Sequence, residues 1–318
     1  MEQGRASRPA MSTQIQLAQN ETDLSSTGNP STVPLKWSGL LVNTDLVRAD
    51  GNKYATKCTG QFISPNVVLT AAHCVQGPTT GTWYDPGKMY FLQQYQNSDY
   101  SRAYRPICVS RFDGWFPDSG GMLQHRFQWD YAMIHVEGQS QIGHFNWEVN
   151  SVEKYHRATM TGYPGALLKG QIIQQANGSL YRDFNRQNVL ALLRPDHPDL
   201  TQGTSGGAWV ANFSRNEGTM YNLVVSVSSH FKSSSADVMY GPYLTADFQN
   251  LFDYVSRRCP LLELTGSTSQ PAAHTGLLGI QRITALTRTG ARDLGLGRSQ
   301  LLKSAEDSVP MLAAPEGL

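Results

Sequence analysis

Three short stretches carry side chains of the kinds that move protons or attack carbonyls. TQGTSGGAWV, residues 201–210, sets Ser205 among Gly203, Gly206 and Gly207. Glycine serves where backbone must take φ > 0 or where another group comes close. Such a serine is either part of a surface turn or a nucleophile with bare N–H groups aimed at a developing oxyanion. VLTAAHC, residues 68–74, ends in His73 beside Cys74. WDYAMIHV, residues 129–136, places Asp130 at the entry to an apolar run. A carboxylate there is costly unless it is paired or hydrogen-bonded, and an imidazole N–H would satisfy it. Singly, a turn serine, a structural histidine and a strand-end aspartate account for all three. Together, the chain order His73, Asp130, Ser205 over long separations is one known way to assemble base, orienting acid and nucleophile.

Such groups need rigid elements to hold them. Cys58 opens the run before His73, and a Cys58–Cys74 bridge would tie down the backbone beside the imidazole. In the chain-entropy model a loop of that size stabilises by roughly 3 kcal/mol. The cysteines are Cys58, Cys74, Cys108 and Cys259, and none forms a C-x-x-C pair, which argues against a zinc ribbon or a thioredoxin-type motif. An even number fits two disulfides and an oxidising compartment; four buried thiols are the alternative. From Lys36 onward, short apolar runs such as SGLLVNT, KMYFLQQY, NVLALL and YNLVVSVSSHF alternate with Gly, Pro and Asn. That texture reads as an all-β sandwich or barrel. One helix is expected over about 245–258, with Phe248, Leu251, Phe252 and Val255 at helical spacing and Thr245 or Asp247 at its start. Residues 1–32 read as a flexible arm or pro-segment. Residues 265–318 read as a disordered tail outside the folded unit, within which QRITALTRTGARDLGLG could form a short helix.

The chain of 318 residues has room for one large domain or two ordinary ones. Its net charge of +1 argues against broad capture of nucleic acid or an anionic membrane. No window of 18 apolar residues suggests a membrane-spanning helix. The N-terminus lacks the apolar core of a secretory signal, so the signal was removed, the start is misplaced, or the protein stays inside. His125, His135, His144, His156 and His197 share no metal-ligand spacing, and neither metal nor cofactor is expected.

TAAHC, WDYAMI and GTSGGA resemble the three signatures of the chymotrypsin-fold, or trypsin-like, serine peptidases. TGYPG resembles the bacterial branch that includes the glutamyl endopeptidases. The likeness spans about Lys36 to Cys259. It implies a peptidase domain over 33–260 made of two packed six-stranded antiparallel β-barrels, at about 35–145 and 155–245, followed by the C-terminal helix. The first barrel would carry His73 and Asp130, the second Ser205. The oxyanion hole would be the N–H groups of Gly203 and Ser205. The helix would lie back across the molecule, making a Cys108–Cys259 bridge the second disulfide. The substrate would be a protein or peptide, cleaved through an acyl-enzyme; oligomeric state is left open. A homologue that binds without catalysis is the rival from another class, and its usual mark is loss of His, Asp or Ser. An intracellular quality-control peptidase would carry a peptide-binding domain after the protease, for which the tail is too short.

The resemblance also frames specificity. Asp199 stands six residues before Ser205, where an aspartate gives trypsin its preference for Arg and Lys. Some glutamyl endopeptidases carry aspartate there without cleaving after basic residues, and Leu200 replaces the Ser or Thr usual next to it. The Glu-specific branch uses a histidine in the strand walling the pocket, for which His230 is the candidate. Ser226 or Ser228 is expected to bond the triad aspartate. Thr204 replaces the aspartate that pairs with a new N-terminal amine in animal zymogens, so maturation by that salt bridge is not expected. Cleavage before Val33 would leave a start at a family-like distance from Cys58. Ala208 stands where proline is usual, a departure expected to be tolerated.

Overall fold

A computed structural model describes residues 27–47, 51–78, 81–115, 123–186, 188–194, 199–232, 235–259, 273–274, 283–287 and 309–310. The chain is mostly β, in two curled sheets whose pairings are almost all antiparallel. The first sheet is built from β1 (Ser38–Val47), β2 (Lys53–Ser64), β3 (Val67–Thr70), β4 (Met89–Gln93), β5 (Arg102–Tyr104), β6 (Pro106–Phe112) and β7 (Ala132–Val136). The second is built from β8 (Asn146–Trp147), β9 (Arg157–Gly162), β10 (Gln174–Arg182), β11 (Val189–Leu193), β12 (Ala208–Ala211), β13 (Leu223–Val227), β14 (His230–Lys232) and β15 (Ser235–Pro242). In order, the first runs β6-β7-β3-β2-β1-β4-β5 and the second β14-β15-β11-β10-β9-β12-β13-β8.

The period-two alternation of strands explains how the apolar runs build more than one core. In β1, Leu41 faces a core with Phe62 and Phe91, whereas Leu40 and Val42 face a second cluster with Tyr90 and Leu92. That second cluster includes Tyr163 and Ile173 from the connections flanking β9 and β10, so it joins the two halves. With both faces buried, β1 reads as a continuous apolar stretch. Met160, Ala176, Leu192, Trp209, Val225 and Met239 fill the second sheet's own interior.

The helix α1 (Ala246–Ser256) follows β15 and buries Phe248, Leu251 and Val255, as its spacing foretells. Thr245 takes the extended N-cap conformation; its carbonyl accepts from the Phe248 N–H at 2.9 Å, while its hydroxyl bonds no helix N–H and lies 3.5 Å from Asp247. Phe248 packs against Tyr131 and Trp147, at ring-centroid distances of 5.7 and 5.0 Å. The helix reaches back to the first sheet, where His135 of β7 bonds the Val255 carbonyl at 2.8 Å. The Cys108–Cys259 disulfide fixes the chain to β6 just beyond the helix, and Cys58–Cys74 closes the shorter loop.

Three expectations are corrected. The expected six and six strands are not what is seen: among the described residues the two sheets contain ten and eight strands. Short strands occupy hydrogen-bonding edges that an ideal barrel would close on itself. The tail is not wholly outside the fold: β16 (Ala273–His274), β17 (Ile283–Thr287) and β18 (Val309–Pro310) join the first sheet. β17, within the stretch expected as a short helix, pairs antiparallel with β6 from Ile283↔Phe112 to Thr287↔Cys108 and buries Ala285. An Ile-Thr-Ala-Leu-Thr segment suits a pleated, half-buried edge better than a helix. At the other end, residues 1–26 lie outside the described residues, but the arm is already packed by Gly28, whose N–H donates to Ile173 at 2.8 Å.

Candidate active site

His73 lies in the short 3-10 turn Ala72–Cys74 directly after β3, and Asp130 lies just before β7. β3 and β7 pair antiparallel with Thr70 opposite Ala132, so the turn leaving one strand meets the segment entering the other. Strand pairing therefore closes 57 residues of sequence separation. His73 Nδ1 lies 2.8 Å from Asp130 Oδ2 and 3.1 Å from Oδ1, and the His73 backbone N–H donates to Oδ1 at 3.0 Å. An ionised carboxylate only accepts, so Nδ1 carries the proton and Nε2 presents a lone pair. That Nε2 is buried and has no hydrogen-bond partner among the described residues. Trp115 lies beside the imidazole, with ring centroids 6.1 Å apart.

Asp130 is almost completely enclosed, at 1% exposure. Burial pushes its carboxyl up, but the His73 charge and hydrogen bonds from His73 and Ser229 outweigh this and hold it below the ordinary carboxylate value. The hydroxyl on Asp130 belongs to Ser229, which donates to Oδ2 at 2.5 Å. Expectation named Ser226 or Ser228 instead. Ser226 donates to the Pro242 carbonyl at 2.8 Å, and Ser228 accepts from the Trp209 indole at 3.0 Å. The reason is a change of register: β13 ends at Val227, and counting alternate faces through VSVSSHF fails beyond that point.

Ser205 sits in the connection entering β12, pressed against the first sheet. Its carbonyl accepts from the Thr59 N–H at 2.8 Å and lies 3.7 Å from Cys74 Sγ. The residue after His73 thus touches the main chain of Ser205. Glycines answer to geometry here. Gly203 has φ +92°, and a Cβ on it would come 2.4 Å from the Tyr163 carbonyl. Gly206 has φ +80°, and its Cβ would meet Thr70 Oγ1 at 2.2 Å and the Thr59 carbonyl at 2.5 Å. Thr204 is fully buried and donates its hydroxyl to the Thr201 carbonyl at 2.5 Å, which fixes the loop from within. The N–H groups of Gly203 and Ser205 meet no acceptor among the described residues. No hydrogen bond joins Ser205 Oγ to His73 Nε2; such bonds are often long without substrate and tighten when it is in place.

Beside Ser205 lies a narrow crevice, with no room for a water-sized group as it stands, lined by Thr201, Gln202, Thr204, Ser228, Ser229, Phe231 and Met239. Of the five residues expected to form the substrate pocket, only Ser228 lines it. Asp199 is exposed and acts electrostatically on buried Arg194. Leu200 is wholly buried in the second core, and Ser226 faces Pro242. His230 is stacked between Phe127, with centroids 3.8 Å apart, and Tyr240, 5.1 Å away. Its imidazole is pushed down to about 3, by burial first and then by the Arg186 charge. Ser229, Phe127 and Arg186 were not singled out from sequence; only the repeated serine before His230 gave a signal. Cys58, His73 and Cys74 lie close enough together to suggest metal ligands, but the two sulfurs are bonded to each other and offer no thiolate.

The comparisons with known proteins agree with this architecture. A protease, Anisep, from Arthrobacter nicotinovorans superposes with a TM-score of 0.55 at 19% identity, covering 73% of this chain and 98% of its own. A Glu endopeptidase solved in complex with MPD gives 0.54 at 17% identity, covering 73% and 96%. The thermostable serine protease AL20 from an extremophilic microorganism gives 0.52 at 18% identity, covering 70% and 97%. At these identities the likeness is one of fold. No curated protein matches the chain. The family model described as Trypsin matches residues 41–249, a span that holds His73, Asp130 and Ser205, and the chain belongs to the trypsin family of serine endopeptidases.

Proposed function

We propose that this hydrolase cleaves internal peptide bonds through an acyl-enzyme formed on Ser205, with His73 as base and Asp130 as its orienting acid. The observation carrying this is the buried His73–Asp130 pair at 2.8 Å, which leaves Nε2 of His73 without a partner among the described residues, while the next residue, Cys74, touches the main chain of Ser205. His73 would take the Ser205 proton as the hydroxyl attacks the carbonyl carbon and return it to the leaving amine. Asp130 would keep the proton-bearing Nδ1 fixed and stabilise the imidazolium. The N–H groups of Gly203 and Ser205 would hold the oxyanion, each such donor being worth about 2.7–4 kcal/mol of transition-state stabilisation.

The catalytic unit is read as residues 33–260, and the substrates as proteins or peptides. Two disulfides suit an extracellular setting. No described helix is long and apolar enough to cross a membrane. None of the described residues lining the crevice beside Ser205 is charged.

Ser205→Ala should lower kcat by roughly 10⁶ and Asp130→Asn by roughly 10⁴. A fluorophosphonate should label the wild type and not Ser205→Ala. Peptide hydrolysis by Ser205→Ala at near-normal rate overturns the assignment; a wild type that neither labels nor cleaves is a binding homologue. Cleavage of a mixed peptide library reads the pocket preference in the same preparation.

A further inference from the structure

A chain of hydrogen bonds continues outward from Asp130. Ser229 Oγ, which donates to Asp130, lies 3.1 Å from His230 Nδ1. His230 Nε2 lies 2.6 Å from Arg186 Nη1. Arg186 belongs to the turn between β10 and β11, is 12% exposed, and lies 3.6 Å from Asp183. Its guanidinium also covers Tyr240, 4.7 Å from the ring centroid.

The direction of each bond is forced. A guanidinium has no acceptor, so Nε2 of His230 must accept. The ring is then neutral with its proton on Nδ1, and that N–H donates to Ser229 Oγ. Ser229 can use its own proton only toward Asp130. We propose that Arg186 and His230 are positioning residues for catalysis: Arg186 locks His230 in the Nδ1–H tautomer, and so obliges Ser229 to donate to the triad carboxylate. This rests on the assignment of Asp130 and His73 made above. The titratable and charged groups facing His230 are Arg186 with Asp183, Arg126, Asp130 and His73; Phe127 and Tyr240 cover its two faces.

Without the lock, the other tautomer becomes available. Nδ1 of His230 then accepts, competes for the Ser229 proton and removes one donor from Asp130. A carboxylate with fewer donors holds an imidazolium more tightly, so the base is titrated at higher pH. The test measures the second-order rate of inactivation by diisopropyl fluorophosphate against pH, which follows the protonation of the base without needing the natural substrate. Arg186→Met should move the acid limb upward by about half a pH unit or more. The double variant Arg186→Met/His230→Phe removes the competing nitrogen and should bring the limb back toward the wild type. Loss of the Arg186 charge alone would leave the double variant as displaced as the single. Long-range ¹H–¹⁵N correlation of wild-type imidazoles should show His230 protonated on Nδ1.

An unmoved limb in Arg186→Met, a double variant that stays displaced, or a wild-type His230 protonated on Nε2 each overturns the proposal. Failure of the triad assignment looks different: Ser205→Ala would still cleave, whatever the Arg186 variants do.

Discussion

Ser205, the proposed nucleophile, is placed by more than its own side chain. Its place depends on Gly206, whose missing Cβ lets the loop lie against Thr59 and Thr70, and on Thr59, which bonds its carbonyl. Gly206→Ala should therefore harm activity more than stability. A left-handed alanine costs about 1–2 kcal/mol, while displacement of the hydroxyl by even 1 Å is expected to lower kcat about 100-fold or more. Gly51→Ala is the control. It shares the positive φ, at +82°, but its Cβ would meet nothing within 4 Å. It should lose only the cost of the left-handed backbone in a urea titration, less than Gly206→Ala, and keep full activity. Equal activity losses in the two variants would show that backbone strain, not crowding of the Ser205 loop, controls the site.

At the scale of elements, pairs and clamps replace single contacts. β3 and β7 deliver His73 and Asp130 to each other because strand pairing fixes where each strand ends. Helix α1 and the Cys108–Cys259 disulfide secure β7 and β6 of the same sheet. Cys108→Ala/Cys259→Ala is expected to cost about 2–5 kcal/mol in urea unfolding with kcat/KM unchanged. A large loss of activity in a folded double variant would show that the helix clamp reaches the site. The sequence announced these elements unevenly. Helix α1 was legible because Phe248, Leu251 and Val255 repeat at a helical period over several turns. β17 was not, because five residues of mixed polarity carry too little periodicity to separate an edge strand from a loop or helix. What settles it is the unpaired edge of β6, which the segment itself does not encode.

Over the whole molecule, buried ionisable groups set the response to acid. His230 is held at about 3 by burial and Arg186, against an ordinary value of 6.5, and burial also lowers His135. Between those values the unfolded chain binds a proton that native His230 refuses. Stability is complete above about pH 6.5 and declines as the pH falls toward 3. Asp130, depressed below its ordinary 3.8, adds stability above that value and gives it up as the pH falls through its folded value. Unfolding free energy should therefore fall from neutral pH downward, and His230→Phe should flatten the slope between pH 6 and 4 by up to about 1.4 kcal/mol per unit. An unchanged slope would mean that native His230 takes up its proton as readily as the unfolded chain does.

The sequence alone indicated the family, the all-β class and the three residues proposed for the chemistry, because each of these rests on local composition: a hydroxyl among glycines, an imidazole beside a bridged cysteine, a carboxylate at a strand entry. It also indicated Cys58–Cys74, since that loop is short. Only the tertiary structure decided that Ser229 bonds Asp130, that Asp199 is exposed and does not line the crevice beside Ser205, and that His230 answers to Arg186. Those facts depend on where strands end and on which loops of the second sheet meet the first. Such meetings are made by burial and hydrogen-bond satisfaction over the whole chain, and no local pattern of residues encodes them.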